Sequence, residues 1–317
     1  MERSAGILAS LTLASAREYE ELIPKEKIEC HYLRRGMLAL YTTQEGLTEG
    51  ADEAELMRGY GIRSANLEPH EVLEIEPSVA PEVKGGVLYE SDSNLEPTEL
   101  MRGLASRVVA MGGVIESGRE VTSISTRGGR ITGVTAAGAQ YRPNEVVLAA
   151  GSWSTEIGRF LGIRLPVQPA KGYSITVTAE DLGWRPAVPI MAHEARAALA
   201  PMGDRIRMAG TLELGGVNMR IDRRRVGAIV SGIGRFLTVP DGMQIDHGQV
   251  WCGLRPCTPD GLPVIGRSGS HENLIIATGH AMIGMTLGPI TGRLVSQLAS
   301  GDEPEMDVAP LSPGRFS

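Results

Sequence analysis

The stretch that most constrains the fold is Asn273 to Leu298, NLIIATGHAMIGMTLGPITGRLVSQL. Leu274, Ile275, Ile276 and Ala277 form a short apolar run of the buried-strand kind, and a turn follows with Thr278, Gly279, His280 and Gly284. Leu287, Ile290, Leu294 and Leu298 then recur three or four apart, which is one face of a helix, with Pro289 expected in its first turn, where a missing N–H costs little. A strand that feeds a Gly-containing turn and a helix N-terminus points free N–H groups and a positive dipole end outward, so it favours negative charge. The same pattern also occurs in plain structural strand–turn–helix units.

The rest of the chain sets that unit in an α/β context. Residues 5–23 read as a helix closed by Pro24; their Ala-Ser-Ala ending is like a signal cleavage site, but Glu2 and the interspersed Ser and Thr favour the helix. A strand follows at 36–43. Thr48 is placed to cap an acidic helix reaching Tyr60. His70–Ile75 and Gly86–Glu90 read as short extended pieces. Pro97 opens a helix with Leu100, Met101, Leu104, Val108 and Met111 on one face, ended by Gly112-Gly113. Val114–Ile115, Val121–Ser125, Ile131–Ala136 and Gln140–Arg142 read as strands. Glu145–Ala150 is a buried-strand run, and Ser152–Leu161 reads as a helix. Beyond Pro166 the character changes: Gly172–Thr178 alternates like a half-buried antiparallel strand, and 197–202 and 205–209 flank a Gly203-Asp204 hairpin turn. Asp222–Leu237 is an amphipathic helix, Pro240–Gly248 a link, and Gln249–Leu254 a strand. The Pro-rich acidic tail from Gly301 is expected to fray.

This order implies an α/β layer at 91–168 and 250–317, interleaved with a β-rich unit at 24–90 and 169–249, with residues 1–23 as a connecting helix. A length of 317 residues fits two such units. A net charge of −7 argues against a nucleic-acid surface. The 3 cysteines form no disulfide framework and fit a reducing compartment, and no apolar run is long enough to span a membrane.

Two places carry candidate chemistry. In WCGLRPCTPDGLPVIG (251–266), Arg255 lies between a strand and the rigid turn Thr258-Pro259-Asp260-Gly261. A guanidinium held there suits a carboxylate, because its planar fork engages both oxygens; a surface or ion-paired arginine is the structural alternative. Cys252 and Cys257 lack further ligands for a metal and read as small core residues. His280 is either a general base or ligand, or a residue satisfying its own turn. Gly232 and Gly234 sit inside an amphipathic helix and carry no dinucleotide fingerprint.

WCGLRPCTPDGLPVIG followed by IIATGHAMIGMTLGPITGRLVSQL resembles the C-terminal signature of the FAD-dependent amine and amino-acid oxidoreductases of the D-amino-acid oxidase family. The bacterial D-amino-acid dehydrogenase group is nearest in texture. DSNLEPTELMRGLA, EVVLAAGSWS, LPVQPAKGYSIT and RMAGTLELGG resemble further family segments, so the resemblance covers nearly the whole chain. It implies a Rossmann-like FAD-binding layer interleaved with an antiparallel, α+β substrate domain. The family opens with a strand, GxGxxG and a helix for the ADP half of FAD. This sequence starts at what resembles the next helix, so the layer is expected to be N-terminally truncated.

By the same resemblance the cofactor is FAD. Val121 matches the position at the adenine, and Gly151, Ser152 and Trp153 match a turn against the dinucleotide. Gly279, His280, Ile283, Gly284, Met285 and Thr286 would lie at the pyrimidine edge of the flavin, where a helix N-terminus favours the reduced anion. Arg255 would hold the substrate carboxylate, with Tyr173 reaching the substrate from the second domain. The implied reaction is oxidative deamination of D-amino acids to 2-oxo acids and ammonia, by hydride transfer from Cα to flavin N5. The electron acceptor would be a quinone or respiratory carrier, or oxygen, and the expected partners include a second subunit. The expected location is cytoplasmic, or peripheral to the inner membrane. The alternatives are a glycine- or sarcosine-type oxidase, and a cofactor-free remnant or non-catalytic subunit.

Overall fold

The computed structural model describes residues 2–238 and 250–316. The expected link at Pro240–Gly248, with Gln249, lies outside the described residues.

The chain opens with helix α1 (Glu2–Glu26), strand β1 (Met37–Tyr41), helix α2 (Gln44–Gly59), strand β2 (Ser64–Leu67), helix α3 (Pro69–Ile75) and strand β3 (Gly85–Tyr89). Two sequence expectations change here. The acidic helix begins at Gln44, because the Thr43 side chain accepts from the Gly46 amide; Thr48 lies inside the helix and donates to the Gln44 carbonyl. His70–Ile75 is helical. Pro69 stands at its first position, and Glu68 and Glu71 bond reciprocally to each other's backbone in a capping box, supplying the nucleation that so short a pattern lacks.

Helix α4 (Pro97–Ala110) is capped by the Glu96 carboxylate, 2.7 Å from the Glu99 amide. Its apolar residues do not share one environment: Leu100 is buried, while Met101, Val108 and Met111 are exposed. Val114 and Ile115 are also exposed and form no strand. Strands β4 (Val121–Arg127), β5 (Arg130–Ala136) and β6 (Ala139–Tyr141) make a three-stranded antiparallel sheet. Strand β7 (Val146–Leu148) leads into a short 3-10 turn, Gly151–Trp153, and helix α5 (Ser154–Phe160).

Next come β8 (Gln168–Thr178), α6 (Ala179–Leu182), β9 (Ile190–Ala192), β10 (Ala197–Met202), β11 (Arg205–Glu213) and α7 (Arg223–Ile233). Val226, Ile229 and Ile233 on α7 join the largest core cluster with Ile175, Leu199 and Met208. The last segment holds β12 (Val250–Cys257), β13 (Val264–Arg267), β14 (Leu274–Thr278) and α8 (Gly284–Ser300).

The large sheet runs β12-β8-β11-β10-β9-β1-β3-β2, and a smaller one runs β13-β14-β7. β12, assigned from sequence to residues 250–317 of the cofactor layer, is thus an edge strand of the large sheet. β14 lies between β13 and β7, antiparallel to the first and parallel to the second, with Leu274 to Ala277 all buried, which explains its unbroken apolar run.

Helix α8 buries Leu287, Ile290 and Leu294 completely against α1 residues Leu11 and Ala14. Each such side chain contributes roughly 1.5–3 kcal/mol. Pro289 lies in the second turn rather than the first, so the Met285 carbonyl has no N–H to accept from within the helix. The hydroxyl of Tyr19 on α1 donates to that carbonyl at 2.6 Å. The C-terminal tail does not fray. Two 3-10 turns, Ala309–Leu311 and Pro313–Phe316, fold back, Leu311 is buried, and Arg315 pairs with Asp260 at 2.8 Å.

Candidate active site

Antiparallel pairing of β12 with β8 sets Gly253 opposite Gly172 and Arg255 opposite Ala170, so these four share one face of the sheet. Both glycines carry a side chain from β12 across their bare backbone. A Cβ on Gly253 would fall 2.1 Å from the Trp251 indole, and a Cβ on Gly172 would fall 1.7 Å from Nη1 of Arg255. Arg255 is therefore inside the strand, with its guanidinium against β8. Nη1 donates to the Thr211 carbonyl at 3.0 Å. Among the described residues no carboxylate lies within ion-pair range of Arg255. Burial depresses its pKa, which marks a cation stripped of part of its water without an anion in return. A guanidinium stays charged under those conditions, so it presents positive charge to whatever enters.

Tyr173 is not brought to this group. Alternation along β8 turns it to the other face, where it is 1% exposed in the main core and its hydroxyl donates to Glu213 at 2.9 Å. Glu213 also meets Lys171 at 3.4 Å and Arg225 at 3.2 Å. The expectation that Tyr173 touches substrate meets this geometric obstacle: its neighbours in sequence, not its own side chain, face Arg255.

The turn after β14 comes to the same place. The Ala281 amide donates to the Pro256 carbonyl at 2.9 Å, joining the turn to the residue after Arg255. Gly279 has φ 77°, and a Cβ there would meet Thr258 Cγ2 at 2.6 Å, so glycine is required both by conformation and by space. Ala281 also has a positive φ of 46°. Ile283 and Gly284 begin α8, whose N-cap carries no side-chain hydrogen bond. The amides of Gly284, Met285 and Thr286 precede the first intrahelical donor, the Leu287 N–H, and face outward along the helix dipole. His280 lies beside them with Nε2 at 2.9 Å from the Thr291 hydroxyl. Burial lowers its pKa to about 4, so it is neutral near pH 7 and adds no charge to the turn.

The 3-10 turn after β7 completes the cluster. Gly151 has φ 53°, and its carbonyl accepts from Thr278 Oγ1 at 3.0 Å, which in turn accepts from Ser154 Oγ at 3.0 Å. Ser152 Oγ donates to the Leu254 carbonyl at 3.3 Å. Gly151, Ser152 and Trp153 are thereby tied both to the end of β14 and to the residue before Arg255. Trp153, Met282 and Met285 leave apolar surface exposed at this junction. Val121 stands apart, opening β4 in the separate three-stranded sheet.

An uncapped helix N-terminus, flanked by exposed apolar side chains and by backbone turns with space for close approach, suits a planar ring with an anion-forming edge. The residues present thus fit the flavin end of FAD. Sequence reasoning found Arg255 and the α8 turn from their motif; it missed Gly172 and Thr211, whose part depends on strand register, and Tyr19, whose partner is 266 positions away.

A family model described as "DAO: FAD dependent oxidoreductase" matches residues 2–298. D-amino acid dehydrogenase of Xanthobacter autotrophicus is 32% identical over 286 residues, covering 89% of this chain and 67% of that protein. D-amino acid dehydrogenase of Methylobacterium radiotolerans is 32% identical over 319 residues, covering 99% of this chain and 75% of that protein. Among solved structures, glycine oxidase from Geobacillus kaustophilus superposes with a TM-score of 0.88 at 26% identity, covering 96% of this chain and 82% of that one.

Proposed function

The chain belongs to the FAD-dependent oxidoreductase family of the D-amino-acid oxidase type, and from that premise we propose that it oxidatively deaminates D-amino acids, with Arg255 as the carboxylate anchor. Bound FAD would supply the two-electron acceptor for the hydride of Cα, and the resulting imine would be hydrolysed by water to a 2-oxo acid and ammonia.

The observation that carries this reading is a charged, half-buried Arg255 without an acidic partner among the described residues, one residue from the backbone bond that holds the α8 turn. A substrate carboxylate supplies the missing anion. A bidentate pair fixes two points of the amino acid, and orientation of this kind accounts for much of the barrier lowering in such a reaction. The outward amides of Gly284, Met285 and Thr286 stabilise negative charge near the ring edge. Neutral His280 serves the turn through Thr291 rather than acting as a base. Gly151, Ser152 and Trp153 line the approach to the dinucleotide, and Val121 is assigned to its adenine end. The dividing lines 91–168 with 250–317, and 24–90 with 169–249, are kept as the cofactor and substrate units, with β12 shared at their boundary.

The electron acceptor is a quinone or another respiratory carrier in the dehydrogenase reading. No helix among the described residues is long and apolar enough to cross a membrane. The structural likeness to a glycine oxidase supports a second reading, an oxidase acting on small amines. Purified protein supplied with FAD should reduce an added dye on addition of a D-amino acid without releasing peroxide. Peroxide release with glycine as the preferred substrate would replace the first reading by the second.

A further inference from the structure

We propose that Gly172 is a positioning residue for the anchor: its missing side chain forms the bed on which the Arg255 guanidinium lies, and the Thr211 carbonyl fixes the rotation of that guanidinium on the bed. The inference rests on the reading of Arg255 as the carboxylate anchor and extends it to residues that touch neither substrate nor cofactor.

Three observations converge. First, the space a Cβ on Gly172 would fill is already occupied, with Nη1, Cζ and Nη2 of Arg255 at 1.7, 2.2 and 2.3 Å. All three atoms belong to the planar head, so the guanidinium lies close along the backbone of β8. Gly172 is in an ordinary strand conformation, so glycine is not there for φ. Second, the only acceptor that meets this head among the described residues is the Thr211 carbonyl at 3.0 Å. Thr211 has φ 68°, a region that a β-branched residue enters only under constraint. Third, the constraint is visible. The register of β11 on β8 shifts between Gly210 and Glu213, and Glu213 is pinned on the opposite face by Tyr173, Lys171 and Arg225. The bulge turns the Thr211 carbonyl toward the head, as bulges commonly re-aim groups beside a site. The Lys171–Tyr173–Glu213 group, in which Lys171 and Tyr173 are buried, therefore acts on the site from behind the sheet. One N–H of the guanidinium is spent on Thr211, and the orientation of the others is set before any substrate arrives.

The clash that Gly172→Ala introduces falls on the far end of a flexible side chain, not on backbone. The arginine swings away while the sheet keeps its pairing. The variant, the wild type and Arg255→Ala are to be compared as full-length protein loaded with FAD. The readouts are KM and kcat for D-alanine, calorimetric binding of the unreactive carboxylate anthranilate, flavin content and thermal melting. Gly172→Ala should raise KM and weaken anthranilate binding by about tenfold or more and lower kcat as the substrate loses its orientation, with flavin content and melting unchanged. If Arg255→Ala raises KM but Gly172→Ala does not, the positioning role is overturned and the anchor stands. If Arg255→Ala leaves KM and anthranilate binding unchanged, the anchor reading itself fails. Loss of flavin or of folding in Gly172→Ala would make Gly172 a structural residue and overturn the proposal.

Discussion

Tyr19→Phe isolates a single hydrogen bond on which the shape of the first turn of α8 depends. Pro289 leaves the Met285 carbonyl without its helical donor, and the Tyr19 hydroxyl fills that vacancy at 2.6 Å. Phenylalanine keeps the ring, which is 7% exposed and stacked on Tyr32 at 6.1 Å, so packing is preserved and only the donor goes. A part-buried carbonyl left unpaired costs roughly 1–3 kcal/mol. Denaturant unfolding of wild type and variant measures that loss directly. The decisive comparison is a double-mutant cycle with Pro289→Ala, which returns an N–H four residues after Met285. If the two donors serve one acceptor, Tyr19→Phe should cost at least about 1 kcal/mol less in the Pro289→Ala background than in the wild type. Additive effects, or a loss below about 0.5 kcal/mol in the single variant, would refute the reasoning. Burial raises the Tyr19 pKa to about 12, so the hydroxyl remains a donor at any ordinary pH. Because the folded-state value lies above the unfolded one near 10, this contribution is complete below about pH 10 and is lost as pH rises toward 12. Tyr19→Phe should lose less stability than wild type across that interval.

His280 gives the opposite sign in acid. Its pKa is about 4 in the fold against 6.5 outside it, so its contribution is present above pH 6.5 and lost as pH falls toward 4. The full effect is about 3 kcal/mol, and His280→Asn should flatten the acid limb of a stability–pH curve; an unchanged limb would show that His280 is not held neutral. Arg315 closes the tail onto the Thr258–Gly261 turn through Asp260 and the Leu262 carbonyl. Arg315→Ala should release residues after Gly301 to limited proteolysis while leaving the rest of the chain resistant, and an unaltered digestion pattern would contradict that role.

Much of the fold was legible because its strongest signals are local. The apolar run of β14 and the three-and-four spacing of α8 are read directly, as are the alternation of β8, the Gly203 turn and the α7 stripe. Failures came where a short stretch takes its structure from caps or from distant chain. The HEVLEI segment is too short to show helical period, and only Pro69 and the Glu68–Glu71 spacing carried a signal for α3. Thr48 looked like a cap because its own neighbours fit one, whereas Thr43 is selected by position after β1 and by the Glu194 carboxylate at 3.0 Å. The tail was expected to fray from composition, and Leu311 and Arg315 hold it through contacts that composition cannot express. At the site, Arg255 and the Gly279–Thr286 turn were found from their motif. The face on which each residue lies was not. Register between β12, β8 and β11 turns Tyr173 away from Arg255, sets Gly172 beneath the Arg255 guanidinium and presents the Thr211 carbonyl to it.

The central claim is that Arg255 and the α8 turn form the substrate and flavin ends of one D-amino-acid-oxidising site. Its most direct test is anaerobic mixing of the FAD-supplemented protein with D-alanine and, separately, with L-alanine, following the flavin's visible absorbance. The account predicts bleaching by the D-enantiomer, faster than by the L-enantiomer and abolished or greatly slowed at the same concentration in Arg255→Ala. Flavin that stays oxidised with every D-amino acid tried, or a protein that takes up no FAD, would contradict it.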